Sequence, residues 1–369
     1  MFRILFTYLP FGAFVLLMLG FVFPSCRALG MRTRAQAVWA IVLLAACSKF
    51  LCYRAFGGDE FNPDLPLWLI WAWNWFYSGA MILLVLTAAL FFLPGKVKPF
   101  LLPALAWTLS AWGVWNGVKV PSVREVEVSV PALPDALDGY RILQLADIHV
   151  SSAALRGRTA AIVERANQAA ADLVVCTGDI VDGPPALRWR DVEPLTALKA
   201  RDGVWFSTGN HEFYGDWAGW RRQYEAWGFK FLHGESVVPR AGLALGGLDD
   251  PACALAGMER RAAGRSVFAS ATNGEFRVLL DHRPGDFAAN ASGPDGAALQ
   301  LSGHTHGGVM PLLGRLVAKA NAGYVRGLYA SGDRRLFVSP GCGQWAGFPL
   351  RFFNDPEINV LVLKKDNDR

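Results

Sequence analysis

Five short apolar runs in the second part of this chain each end on a turn that carries Asp, Asn or His. Tyr140 to Ala146 leads into Asp147-Ile148-His149, and Leu173 to Thr177 into Gly178-Asp179-Ile180-Val181-Asp182. Gly203 to Thr208 leads into Gly209-Asn210-His211-Glu212, Phe276 to Leu280 into Asp281-His282, and Ala298 to Ser302 into Gly303-His304-Thr305-His306. Apolar runs this short, bounded by turn residues, read as buried strands. Thr159 to Ala171, Glu193 to Lys199 and Asp216 to Trp227 read as helices between them. The aromatic stripe Trp217, Trp220, Tyr224 and Trp227 has helical spacing and predicts core packing. Further strands are expected at Leu243 to Gly247, Leu336 to Ser339 and Ile358 to Leu363. Alternating Val126, Val128 and Val130 predict a first strand within an extended connector from Pro121 to Pro134. Strands and helices in alternation predict an α/β fold, a sheet covered by helices. Ligands of open α/β sheets bind beyond the carboxyl ends of the strands, so the five turns are expected to meet.

The residue types at those turns point to metal. The chain has six histidines, all after residue 148, and only His233 stands outside the clusters. In an extended segment His304 and His306 share one face. A lone His-x-His is a weak signal; five clusters of Asp, Asn and His are a strong one. Carboxylate and amide oxygens together with imidazoles suit Mn, Fe or Zn. There are too many donors for one tetrahedral zinc, and enough for two ions that share a carboxylate. Two such ions, about 3.5–4 Å apart, clamp the attacking and leaving oxygens of a displacement at phosphorus and make hydroxide available near neutral pH. Phosphoester hydrolysis follows from the residues alone.

The front of the chain has a different composition. Hydrophobic residues make up 53% of the whole and charged residues 18%, too apolar for an ordinary soluble protein. The excess lies before about residue 120. Four runs approach the roughly 20 apolar residues that a membrane helix needs, at about 4–26, 35–53, 67–93 and 99–118. Lys49 lies near the end of the second and is able to snorkel. The series Trp68, Trp71, Trp73, Trp75, Phe76 and Tyr77 reads as an interfacial belt. Arg27, Arg32 and Arg34 in the first loop, with Lys96 and Lys98 in the third, place those loops in the cytoplasm. The catalytic part then faces outward; the topology inverts if the second run fails to insert. The expected layout is a transmembrane domain over 1–119 and a soluble domain over 120–369. Six cysteines show no paired C-x-x-C. A net charge of +5 without a Lys/Arg run is no nucleic-acid signature.

With these motifs the sequence resembles the calcineurin-like metallophosphoesterase superfamily, and looks closest to its membrane-attached bacterial subgroup. D-x-H, G-D-x-x-D, G-N-H-E, a lone His and G-H-x-H occur in the family's order, over about residues 124–364. Gly247 to Pro251, Gly341-Cys342-Gly343, Pro349-Leu350-Arg351 and Pro356-Glu357-Ile358 resemble later segments of the subgroup. Val309 stands where Gln is expected. The resemblance implies a four-layer αββα sandwich; the all-α four-helix transmembrane domain read from the apolar runs is an addition to the simple anchor of many relatives. It implies that Asp147, His149 and His306 hold one divalent ion (Mn, Fe or Zn). Asn210, His282 and His304 would hold a second, with Asp179 bridging. His211 would face the phosphate and help protonate the leaving oxygen. Asn210, a neutral ligand, would keep the site's charge low enough to admit an anion.

Asp182 either orients a ligand imidazole or stabilises its turn. Glu212 caps the next helix or supports His211, support being preferred. Asp249 and Asp250 precede Pro251 and read as a plain turn. Asp281 reads as structural or as a support for the neighbouring His282, His233 as a surface residue, and Arg188-Trp189-Arg190 as a solvated loop in preference to a site for an anionic head group. The leading expectation is a multi-pass membrane hydrolase of the bacterial plasma membrane. Its substrate would be a phosphomonoester, phosphodiester or pyrophosphate, small or lipid-linked. The rivals are an inert metal-binding membrane sensor and a nuclease. A missing metal ligand would favour the sensor, and none is missing. The lack of a basic aromatic groove argues against a nuclease, and a transporter would need ionisable groups central in the spans.

Overall fold

The computed structural model describes residues 33–91, 101–131, 133–260, 267–269, 271, 274–309, 311–348 and 350–366. The chain divides into two compact units, one formed by Met1–Val118 with Ala346–Leu350 and the other by Lys119–Trp345 with Arg351–Arg369.

The described part of the first unit is helical: α1 (Thr33–Cys47), α2 (Lys49–Ala55), α3 (Leu67–Phe91) and α4 (Leu101–Val118). The run at 4–26 lies outside the described residues. The run at 35–53 is broken at Ser48 into helices of 15 and 7 residues, about 22 and 10 Å long against a hydrocarbon core of roughly 30 Å. Helix α3 has 25 residues, but its first half is spent on Trp, Asn, Tyr and Ser. Among the described residues no helix is long and apolar enough to cross a membrane. The four spans therefore carry forward only as a proposal.

Two expectations are corrected in this unit. Lys49 does not snorkel. It is buried, donating to Asn74 Oδ1 at 2.7 Å and Gly347 O at 2.6 Å. The rings of Phe50 and Tyr77 lie 4.6 and 4.3 Å from its Nζ. A buried ammonium needs such partners, because desolvating it alone is costly. Nor is the Trp series wholly a belt. Trp75 Nε1 donates to Trp107 O at 2.8 Å and Trp73 Nε1 to Ala45 O at 3.3 Å, so these two indoles join helices.

The second unit is built on two six-stranded sheets. Strands β1 (Ser122–Val130), β2 (Arg141–Leu145), β3 (Leu173–Thr177), β4 (Val204–Ser207), β5 (Lys230–Phe231) and β12 (Glu357–Lys365) form the first, in the order β1-β12-β2-β3-β4-β5. Strands β6 (Glu235–Arg240), β7 (Leu243–Gly247), β8 (Phe276–Leu280), β9 (Leu299–Ser302), β10 (Gly327–Ser331) and β11 (Arg334–Val338) form the second, in the order β10-β11-β9-β8-β7-β6. Each sheet is mixed. The run β2-β3-β4-β5 is parallel, and so is β11-β9-β8-β7.

Alternation along the strands explains the layering. Successive side chains point to opposite faces, and both faces of these strands are buried, so the runs read as continuously apolar. Leu173 and Val175 enter the core between the sheets with Ile142, Leu245, Val278, Leu280 and Leu301. Val174 and Cys176 face the other way, with Leu143 and Leu145. There they meet α5 (Arg156–Gln168) through Ile162 and Val163, and α7 (Trp217–Ala226) through Trp217, Trp220 and Tyr224. The aromatic stripe of α7 is thus core, and Asp216 caps the helix by accepting from Gly219 N at 2.8 Å. The outer face of the second sheet packs Ala244 and Leu279 against Val267 and Phe268, and Leu336 and Val338 against Phe287 of α8 (Phe287–Asn290).

Arg188-Trp189-Arg190 lie on a helix, α6 (Pro185–Val192), where Arg188 pairs with Asp191 at 3.1 Å. The expected helix at 193–199 is a 3-10 turn, Glu193–Ala197, with Pro194 among its first residues.

Candidate metal centre

The predicted turns all lie beyond carboxyl ends of parallel strands. Asp147 and His149 follow β2, Asp179 and Asp182 follow β3, and Asn210, His211 and Glu212 follow β4. His282 follows β8, and His304 and His306 follow β9. The backbone there is held in an unusual form. Asp147, His149, Asp179, His304 and His306 all have positive φ, between 48° and 70°. Side-chain-bearing residues seldom adopt that region, and clusters of such residues mark functional sites. Close approach explains two glycines. A Cβ on Gly209 would lie 2.3 Å from Asp179 Oδ1, and one on Gly303 would lie 2.4 Å from Asp147 Oδ2.

Three groups of side chains converge closely enough to hold a metal ion: Asp147, His149 and His306; His149, Asp179 and His211; Asp179, His282 and His304. Asp179 Oδ2 lies 3.7 Å from His149 Nε2 and 3.2 Å from His282 Nε2, so one carboxylate oxygen serves both sides of the centre. Its other oxygen accepts from His211 N at 2.9 Å. His149 Nε2 and His306 Nε2 face each other at 3.2 Å.

Partners on the far side of the rings explain that geometry. His149 Nδ1 lies 3.1 Å from Asp182 Oδ2, His306 Nδ1 3.2 Å from Gly343 O, and His282 Nδ1 2.7 Å from Thr177 O. With Nδ1 as donor in each, every Nε2 presents a lone pair to the interior, the arrangement found around metals. Two such lone pairs face to face repel unless a cation lies with them. Asn210 Oδ1 is buried without a hydrogen-bond partner. A buried acceptor left unpaired costs about 1–3 kcal/mol. The donor set fits a divalent cation on each of these counts.

Electrostatics point the same way. Asp147, Asp179, Asp182 and Glu212 are all buried. Burial raises Asp147, and burial together with Asp179 raises Glu212. Burial also works against ionised Asp179, but His282 and His211 overcome it and hold that carboxyl well below its ordinary range. Burial lowers His282 and His211, yet Asp179 outweighs it and pushes them up to about 10 and about 9. His304 falls to about 3, through burial and then the charge of His282. Without metal, two imidazoles carry the positive charge that the carboxylates demand. Metal and protons therefore compete for this centre.

Two carboxylates stand just outside it. Asp182 divides its oxygens between two imidazoles: Oδ2 to His149, as above, and Oδ1 to His211 Nδ1 at 2.5 Å. Glu212 accepts three backbone N–H groups, from Asp179 at 2.9 Å, Ile180 at 2.7 Å and Gly209 at 2.6 Å. It ties the loop after β3 to the loop after β4.

Some residues here escaped the sequence reading. Arg351, fully buried, places Nη2 3.2 Å from His306 Nδ1 and also donates to Gly343 O. Asn354 donates to His306 O. Asp249 is no plain turn residue. It is buried and accepts from Thr208 Oγ1 at 2.9 Å and from His233 Nδ1 at 2.8 Å. His233 is accordingly half-buried rather than a surface residue. Asp281 is structural, bonded to Arg260 at 3.1 Å and Asn290 at 2.8 Å.

Known proteins match this sequence. A family model described as calcineurin-like phosphoesterase covers residues 140–308. An uncharacterized metallophosphoesterase of Helicobacter pylori strain J99 is 30% identical over 265 residues, 69% of this chain and 67% of that one. The chain belongs to the calcineurin-like phosphoesterase family. It is also similar to proteins named "Transmembrane protein with metallophosphoesterase domain" from Danio rerio and Bos taurus. Each is 31% identical, over 70% and 73% of this chain. The matches span 60% and 63% of those two relatives' own length. Vertebrate and bacterial relatives both match, so the family is established without singling out a bacterial subgroup.

Proposed function

We propose that this chain hydrolyses phosphoesters at a centre of two divalent ions. The observation that carries the reading is the position of Asp179 Oδ2 between His149 and His282, each within 3.7 Å. Asp147, His149 and His306 would hold one ion, and Asn210, His282 and His304 the other, with Asp179 shared. Such ions neutralise phosphoryl oxygens and acidify water.

The chain's own residues do the rest. Thr177 O, Gly343 O and Asp182 fix the ligand rings through Nδ1. Asp182 also turns the Nε2 edge of His211 away from itself. Held through Nδ1 by Asp182, His211 would meet the charge that develops on the phosphoryl oxygens and give a proton to the leaving oxygen. Neutral Asn210 leaves room for an anionic substrate.

The reading extends to a membrane. Two relatives carry "transmembrane" in their names, and α3 and α4 contain no charged residue. Attachment through the helical unit, with the catalytic unit facing out of the cytoplasm, would suit a lipid-linked or envelope-derived substrate. Retention in the membrane pellet after alkaline carbonate extraction tests attachment.

The decisive experiment uses the purified full-length chain with Mn. Bis(p-nitrophenyl) phosphate should be hydrolysed, and Asp179→Ala should lower the rate by about 1,000-fold or more. Equal rates in parent and variant sink the reading.

A further inference from the structure

Arg283 directly follows His282 at the end of β8, and the centre described above makes no use of it. Its guanidinium is held from behind by Asp250, a fully buried carboxylate, with Nε 2.6 Å from Oδ2 and Nη2 2.8 Å from Oδ1. Asp250 is itself fixed. Its N donates to Thr208 Oγ1 at 3.1 Å, and its Oδ1 accepts from Ala252 N at 2.8 Å. A guanidinium has five N–H donors, and Asp250 engages two. The side chain is 36% exposed, so the fork is rigid at its base and open at its tip. Nearby Arg260 differs. It is spent on Asp249 O, Asp281 and Asp286 and reads as structural.

The neighbours of Arg283 belong to the metal centre or its rim. Tyr214 packs its ring 5.0 Å from that of His211 and is 38% exposed. Arg283 adjoins His282 in the chain, and its anchor Asp250 is tied to Thr208, two residues before Asn210, so it stands on the Asn210 and His282 side. The reacting phosphoryl already has the ions and His211 to meet its charge. A pre-oriented guanidinium at the rim is surplus to that need.

We propose that Arg283 binds a second anionic group of the substrate, carried beyond the phosphorus that reacts. The inference rests on the phosphoesterase reading and narrows it: the preferred substrates carry two acidic groups a few bonds apart. Arg is the residue suited to such recognition, because its planar fork meets an oxyanion with paired hydrogen bonds.

Two non-hydrolysable probes of similar size test this, propylphosphonate and 3-phosphonopropionate, which differ by one carboxylate. Calorimetry on the Mn-loaded full chain should show the second binding about tenfold more tightly, the scale of one charge-assisted hydrogen bond. Removing Arg283 alone would strand Asp250 as a buried unpaired charge. The variant is therefore Asp250→Asn with Arg283→Met, which should bind both probes as the parent binds propylphosphonate. Arg283→Lys, keeping the charge without the fork, should retain only part of the preference. A parent without preference overturns the proposal, and so does a double variant that weakens both probes equally. Turnover of bis(p-nitrophenyl) phosphate by the parent is read separately. Its absence removes the hydrolase reading, while the probe comparison still reports on Arg283.

Discussion

Asp182 Oδ1 lies 2.5 Å from His211 Nδ1, and this contact sets which edge of that imidazole faces the centre. Asp182→Asn keeps the shape and removes the charge. It should lower kcat by about 10–100-fold, within the range for a positioned general acid. Asp182 and Asp179 jointly raise His211 against burial, so the variant should also move the alkaline limb of the pH–rate profile to lower pH. A profile that keeps its limb would show that Asp182 serves His149 alone.

Metal removal should make stability depend on pH. His211 and His282 are raised to about 9 and about 10 by Asp179, overcoming burial. A group raised on folding contributes stability that is fully present below its unfolded value of about 6.5 and lost as pH climbs through the folded one. Unfolding free energies from urea in EDTA should fall between pH 7 and 9.5, by on the order of 5 kcal/mol. With Mn bound the ions take over the protons' role, and the curve should flatten. A flat curve in EDTA would contradict the charge assignment.

Glu212→Gln tests the staple between two loops. The carboxylate accepts three N–H groups; an amide offers one oxygen and turns an NH2 group toward donors. Burial of unmatched donors predicts a loss of about 2–4 kcal/mol in urea unfolding, together with reduced activity. Unchanged stability would mean that the loops hold without it.

Arg351→Met removes a guanidinium that donates to Gly343 O, the carbonyl that also accepts from His306 Nδ1. Loss of an outer partner of a metal ligand typically weakens binding by about 10–100-fold. The Mn concentration for half-maximal activity should rise accordingly, with kcat at saturating Mn little changed. A lower kcat at saturation would assign Arg351 to the chemistry instead.

The strands were legible wherever a buried run met a turn. Leu173–Thr177, Leu243–Gly247 and Phe276–Leu280 lie where their apolar pattern predicts. Lys230–Phe231 is too short to show a period, and Glu235–Arg240 is half-exposed with no clear alternation. The convergence of the five turns was legible because parallel strands share a carboxyl end. Asp249 was not, since Asp-Asp-Pro has the composition of a turn and its burial comes from Thr208 and His233, distant in sequence. Arg351 stood in a segment that resembles the subgroup's, Pro349-Leu350-Arg351, but nothing local tied it to His306, 45 residues earlier. Lys49 misled for the opposite reason. Its snorkelling was inferred from position, and the carbonyl of Gly347, 298 residues away, is invisible to any local pattern.

Strand β12 sits between β1 and β2 rather than at an edge. During synthesis the first sheet therefore stays split until Glu357–Lys365 leaves the ribosome. The turns bearing Asp147 and His304 emerge long before the strand that closes the sheet beside β2. Nascent chains stalled before residue 357 should then be open to protease, and hydrolysis should begin only after that strand has docked.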